Sequence, residues 1–150
     1  MKIVIDNPGK YSFTLDHEGQ ELEIIGRFNL TGDQVSRWDI EIIHAAPNTS
    51  SETNIKGVVD GSAQAFVNGT IKVLPSAVGT QAFLEERILL VSENAKAEAI
   101  PNLEIETDQV HCSHAATVGK IDEEELFYLA TRGISENSAK EMIASGFLGV

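Results

Sequence analysis

Thiols, aromatic rings and positive charge are all scarce in this sequence. Its 150 residues include one cysteine, one tryptophan and two methionines, and aromatic side chains make up 6%. A single thiol cannot close an internal disulfide, so a reducing compartment, and hence a cytoplasmic protein, is expected. Eleven Lys and Arg stand against 23 Asp and Glu, a net charge of −12. Nucleic acid and anionic lipid are therefore poor partners, because binding either depends on cations that neutralise phosphate. Long apolar runs are missing too. The opening MKIVIDNPGK is too short for a secretory h-region, and no later stretch approaches a membrane span. Without a secretory signal, the N-x-S/T triplets at Asn29, Asn48 and Asn68 read as turn chemistry. No G-x-x-x-x-G-K-S/T loop is present to cradle phosphates, so any use of ATP would belong to a partner, and no serine sits in a nucleophile elbow.

What is present is an ordinary apolar fraction, 42%, in a chain long enough to bury one core. Up to about residue 118 the rhythm has period two. Tyr11, Phe13 and Leu15 alternate with Ser12 and Thr14; Trp38, Ile40 and Ile42 with Asp39 and Glu41; Ile71 and Val73 flank Lys72; Leu103 and Ile105 alternate with Glu104 and Glu106. Strands with one buried and one wet face produce this pattern. Turn signals punctuate it at NPG (7–9), GD (32–33), PNTSSETN (47–54), DG (60–61), NG (68–69) and PN (101–102). Two architectures fit such short strands: an antiparallel sandwich or barrel, and the stacked rungs of a parallel β-helix. The NG pair favours a hairpin locally, whereas the small residues of AKAEAI (95–100) suit a narrow solenoid interior.

Residues 119–150 read as a helical segment. Asp122 with Glu125 forms a capping box, with Ile121 and Leu126 as its hydrophobic staple, and the glutamates of the first turn complement the helix dipole. Leu126, Leu129 and Ala130 make an apolar stripe, and Gly133 stops the helix. Ser135 caps a second helix, expected to end at Gly146 with Phe147 folding back on Met142.

The run PNLEIETDQVHCSHAATVGKIDEEELFYLATRGIS decides between the architectures. Pro101–Ile105 matches a P-x-L-E-I element, Cys112–Gly119 a C-S-H-G-A-T-V-G box, Leu126–Ile134 an L-F-Y-L-x-x-R-G-I element, and Gly146-Phe147 a closing G-F. In these linked motifs the chain resembles the SufB/SufD family of iron–sulfur cluster assembly scaffolds. Weaker echoes at His44, 56–73 and 89–97 extend the resemblance over residues 40 to 150. It implies a right-handed parallel β-helix over 1–118 with a C-terminal helical hairpin over 119–150. Three departures stand out. Family members are usually longer, with an N-terminal helical domain and more rungs. Ala115 replaces the glycine of the box, which would be strained there if a positive φ were required. Ala95 stands where SufB-type members carry a scaffold cysteine, so the chain is more similar to SufD.

In an extended 110–114 segment Val110, Cys112 and His114 share one face, and His111 and Ser113 the other. Cys112 is then either a small buried filler or a thiol ligand, and apolar surroundings disfavour the thiolate that ligation needs. SufD-like members are similar in carrying a histidine at the His114 position, at the seam between paired β-helices, and neutral imidazole is a competent iron ligand. The resemblance thus implies a non-enzymatic accessory subunit in which His114 and Cys112 contribute to a transient iron–sulfur cluster at a dimer interface, with a SufB-type or identical β-helix as second chain. On flavin the sequence is silent. One histidine and one thiol do not complete a four-coordinate site, so the partner would supply the remaining ligands. The family's C-terminal helices dock the ABC-type ATPase SufC. That implies a contact surface around Phe127, Tyr128, Arg132 and Phe147, although aromatics at helical spacing are also ordinary clamps onto a core. Two rivals stand beside this reading. One is a structural pairing module that no longer binds a cluster, which Ala95 and Ala115 favour; the other is a sugar-acting β-helix, for which the aromatic content is thin.

Overall fold

The computed structural model describes residues 1–150. Nine strands run in chain order: β1 (Lys2–Ile5), β2 (Gly9–Leu15), β3 (Glu21–Leu30), β4 (Val35–His44), β5 (Ser50–Val59), β6 (Gln64–Val73), β7 (Gln81–Leu90), β8 (Lys96–Ile105) and β9 (His111–Lys120). Two helices follow, α1 (Glu123–Thr131) and α2 (Glu136–Leu148). Odd strands form one parallel sheet, β1-β3-β5-β7-β9, and even strands another, β2-β4-β6-β8. The chain therefore winds as a parallel β-solenoid of about four turns, the β-helix rather than the sandwich. Every strand pairs with the strand one rung away, never with its sequence neighbour, which rules out hairpins.

Parallel stacking turns the period-two pattern into columns that cross the rungs. One column in the lumen runs Ile3, Ile24, Thr53, Leu84, His114, and the next runs Ile5, Gly26, Ile55, Glu86, Ala116. From the facing sheet come Tyr11, Ile40, Gly69, Pro101 and Phe13, Ile42, Ile71, Leu103. The first rungs are filled by large side chains: Ile24, Ile40 and Ile42 are wholly buried, and Phe28 stacks on Trp38 with 5.3 Å between ring centroids. Gly57 makes this possible, because a β-carbon there would overlap the Phe28 ring. Corners repeat as well. Gly19, Asn48 and Gly79 occupy one corner of successive rungs, all with positive φ, a conformation glycine and asparagine tolerate best.

Three turn signals and one helix stop fall differently from expectation. Asn68-Gly69 lies in the middle of β6, where Gly69 gives up a side chain to make space in the lumen; no hairpin exists there. Pro101-Asn102 lies inside β8, an edge strand whose outer side needs no amide donor, so proline is tolerated. In PNTSSETN only the first residues turn; Ser50–Asn54 already belong to β5, with Ser51 and Thr53 turned inward. Finally, α2 runs through Gly146 to Leu148 and ends at Gly149, which has φ of 75°. Leu148 buries with Val58, Val91 and Ile121 on the flank of the odd sheet, and that packing carries the helix past the glycine.

The remaining helix signals act locally. Asp122 caps α1 by accepting from the Glu124 amide at 2.9 Å, and Ile121 and Leu126 join one apolar cluster. Gly133 follows the α1 C-cap with φ of 80°, and the Ser135 hydroxyl accepts from the Ser138 amide at the start of α2. No helix is long and apolar enough to cross a membrane.

Candidate functional site

Only the first and last rungs lack a neighbour on one side. At the C-terminal end β8 and β9 have no strand beyond them, so their lumen-facing side chains form an open floor. From β8 these are Ala97, Ala99, Pro101 and Leu103, all half-buried, and Ile105, 40% exposed. From β9 they are Cys112, half-buried, then His114, Ala116 and Val118, all exposed. Strand alternation puts Cys112 and His114 on the same side, in register with Ala82 and Leu84 of β7. His111 and Ser113 point the other way, into a shallow outer groove of about 600 Å³ shared with Glu52 and Phe83. Ala115 also faces outward on a regular strand; Asn48 is the only non-glycine residue with positive φ, so alanine is unstrained in the box.

Burial pushes the Cys112 thiol above its usual range, an effect only partly offset by the Ala82 backbone, so the sulfur is held as a thiol. No group of three or more His, Cys, Asp or Glu side chains converges to hold a metal ion. The donor set of this end is thus one imidazole and one thiol, on a flat and mostly apolar surface.

Two further groups lie inside the lumen. His44 is wholly buried, with Nδ1 2.8 Å from the Thr49 hydroxyl and Nε2 2.9 Å from the Ser51 hydroxyl. The Thr49 hydroxyl donates to the Ala46 carbonyl, leaving it to accept from Nδ1–H; Ser51 then donates to Nε2. The imidazole is satisfied while neutral, and burial lowers its pKa from 6.5 to about 4. Glu86 is also wholly buried, but neither of its oxygens has a hydrogen-bond partner. Burial raises its pKa from 4.5 to about 7 against a smaller opposing pull from the Gly69 backbone. Sequence reasoning passed over Glu86, although the parity of Ala82, Leu84 and Ile88 places it on the buried side of β7.

The four residues marked in the tail divide into two kinds. Phe127 and Tyr128 are 72% and 55% exposed, and Arg132 donates to the Tyr128 hydroxyl at 3.1 Å on the same surface. Phe147 is half-buried, its ring centroid 5.3 Å from the Arg87 guanidinium, so it helps fix α2 to the solenoid. Ile121, Leu126, Ile143 and Leu148 make the clamp with Phe147.

Residues 8–147 match the family model described as the SUF system FeS cluster assembly SufBD core domain. The chain belongs to the SufBD family. It is 34% identical over 139 residues to an iron–sulfur cluster assembly SufBD family protein of Mycobacterium leprae, covering 87% of this chain and 36% of that one. With the iron–sulfur cluster assembly protein SufD of Bacillus subtilis it shares 35% identity over 125 residues, 83% of this chain and 28% of that one. A SufBD family protein of Staphylococcus aureus is 36% identical over 115 residues, 77% and 25% of the two chains. The chain thus spans about a third or less of the length of these relatives.

Proposed function

We propose that this SufBD chain is a SufD-like, non-enzymatic accessory subunit in the cytoplasm, whose open C-terminal end docks on a second β-helix and shares a nascent iron–sulfur cluster with it. One observation carries the reading: His114 and Cys112 are the only metal-binding side chains that face the lumen side of the unpaired last rung. Floor and edge suit a docking partner. The floor is apolar and shallow, and the outer edges of β8 and β9 present unpaired strand amides and carbonyls that a further strand can satisfy.

The cluster is cargo here, and this chain's residues do limited work on it. His114 supplies an imidazole nitrogen donor, whereas Cys112 must first lose a proton that its surroundings favour keeping. Cluster loading therefore releases a proton wherever Cys112 takes part. The remaining ligands come from the second chain, either a SufB-type subunit or an identical one. ATP hydrolysis belongs to a SufC-type ABC ATPase held by the exposed Phe127 and Tyr128 face of α1, with Arg132 beside it.

Anaerobic reconstitution with iron and sulfide, on the chain alone and with a SufB-type partner, tests the reading. Cluster absorbance should fall in His114→Ala and fall less in Cys112→Ala. Unchanged absorbance in both settings for His114→Ala removes the ligand role. The raised Cys112 pKa favours a second reading, a pairing module that binds no cluster; its signature is normal pairing without cluster absorbance in the wild-type chain.

A further inference from the structure

We infer that Glu86 is a proton-operated latch on the C-terminal end of the solenoid, keeping the last rung closed while the carboxyl is protonated and loosening it on ionisation. The latch follows from geometry and requires no particular partner.

Glu86 occupies a space made for it: a β-carbon on Gly69 would lie 2.5 Å from its Oε1. Neither oxygen has a hydrogen-bond partner and the exposure is nil, the Gly69 backbone giving only a weak pull toward the charged form. A neutral carboxyl tolerates such a place far better than a carboxylate does. The carboxyl is also asymmetrically covered. Toward the N-terminal end its column continues through Ile55 into closed rungs. Toward the C-terminal end only Ala116 in its own column and Pro101 beyond Gly69 lie in the way, both on strands with no further neighbour. When the proton passes to water, the shortest route to hydration for the carboxylate is displacement of the β8–β9 rung.

No cation stands ready to neutralise it. The inward residues of β5, β6 and β8 carry no titratable group; β4 offers His44, held neutral by its two hydroxyl partners, and β9 offers His114 and Cys112, two and four residues before Ala116. Because the closed state keeps the proton up to about pH 7 while the opened state releases it from about 4.5, opening becomes easier as pH rises through that window and levels off above it.

Native-state hydrogen exchange, resolved by rung and corrected for intrinsic rates, tests this on the whole chain. The opening constant of β8 and β9 amides should rise by up to roughly tenfold per pH unit inside the window, with β3 and β4 amides unaffected. Glu86→Gln should abolish that dependence, and Glu86→Leu, which removes the polar atoms, serves if the glutamine chain does not fold. His114→Ala, run alongside, should keep it. A pH-independent last rung, an equal change in every rung, or the same dependence in the Glu86 variants overturns the latch. The wild-type pattern decides the first two of these outcomes without any variant.

Discussion

At the N-terminal end Tyr11 and Phe13 stack, 6.4 Å between centroids, in lumen columns that end three rungs later in Pro101 and Leu103. Beside them the columns that begin with Ile3 and Ile5 finish in His114 and Ala116. One end is therefore filled by its own aromatic and branched side chains, so that Ile5 and Leu15 are nearly inaccessible although they lie in the first rung. The other is finished with a shallow, mostly apolar floor that carries Cys112 and His114 and covers a carboxyl one layer down. Folding energy is concentrated toward the first end, and the proposed chemistry toward the second. A solenoid allows this division because each rung touches only its neighbours, so the last rung can be specialised without weakening the first.

The division is most severely tested in the first rungs. Trp38 is buried against Phe28, and Trp38→Ala should lower unfolding free energy by about 4 kcal/mol in denaturant titration, with all rungs lost together. Val118→Ala, at a position 42% exposed, should cost less than about 1 kcal/mol. Equal losses at the two sites would erase the contrast between the ends.

The next effect comes from His44 and has the opposite sign in pH to that of Glu86. A histidine whose folded pKa lies near 4, below its ordinary 6.5, binds fewer protons folded than unfolded. Its contribution is intact above about pH 6.5 and is lost as pH falls toward 4, by up to about 3 kcal/mol. Glu86 lowers stability as pH rises from about 4.5 to about 7, so the two buried groups oppose one another across the overlap. Thermal unfolding of His44→Gln should show a flattened acid limb. If that limb keeps its wild-type slope, the imidazole does not hold the fold together in the way its hydroxyl partners indicate.

Much of this was legible in residues alone, and the exceptions share a cause. Alternation identified the strands, and the C-S-H box with its neighbours identified the family, because both are local patterns. The Asn68-Gly69 and Pro101-Asn102 pairs misled because turn chemistry is also local, whereas their reason for being in strands lies one rung away: Gly69 makes room for Glu86, and Pro101 stands on an edge. Gly146 misled for the same reason, since Leu148 is buried against strands far back in the chain. The face carrying Cys112 and His114 followed from parity. That this face would be open to solvent did not, because exposure there depends on which rung is last.

Smaller in stability, and more informative about assembly, is a charge on the open floor. Val118→Asp should leave unfolding within about 1 kcal/mol of wild type. It should weaken pairing with a second β-helix at least tenfold in sedimentation, because a desolvated carboxylate without a partner is costly in an apolar contact. Unaltered pairing would move the docking face elsewhere on the chain.

The smallest expected effect is on the hairpin. Arg132 and Tyr128 form an exposed pair, their cation and ring centroid 5.3 Å apart, and such pairs contribute little in water. Neither Arg132→Ala nor Phe127→Ala should change unfolding by more than about 0.5 kcal/mol, since Phe127 is 72% exposed and the clamp is built from Ile121, Leu126, Ile143 and Leu148. Both should nevertheless reduce capture of a SufC-type ATPase, measured by calorimetric titration. An exposed aromatic pair that does nothing for folding suits the proposed docking surface. If Phe127→Ala destabilises the chain by 2 kcal/mol or more, the ring belongs to the clamp, and the division between folding and function ends at the last strand instead of extending into α1.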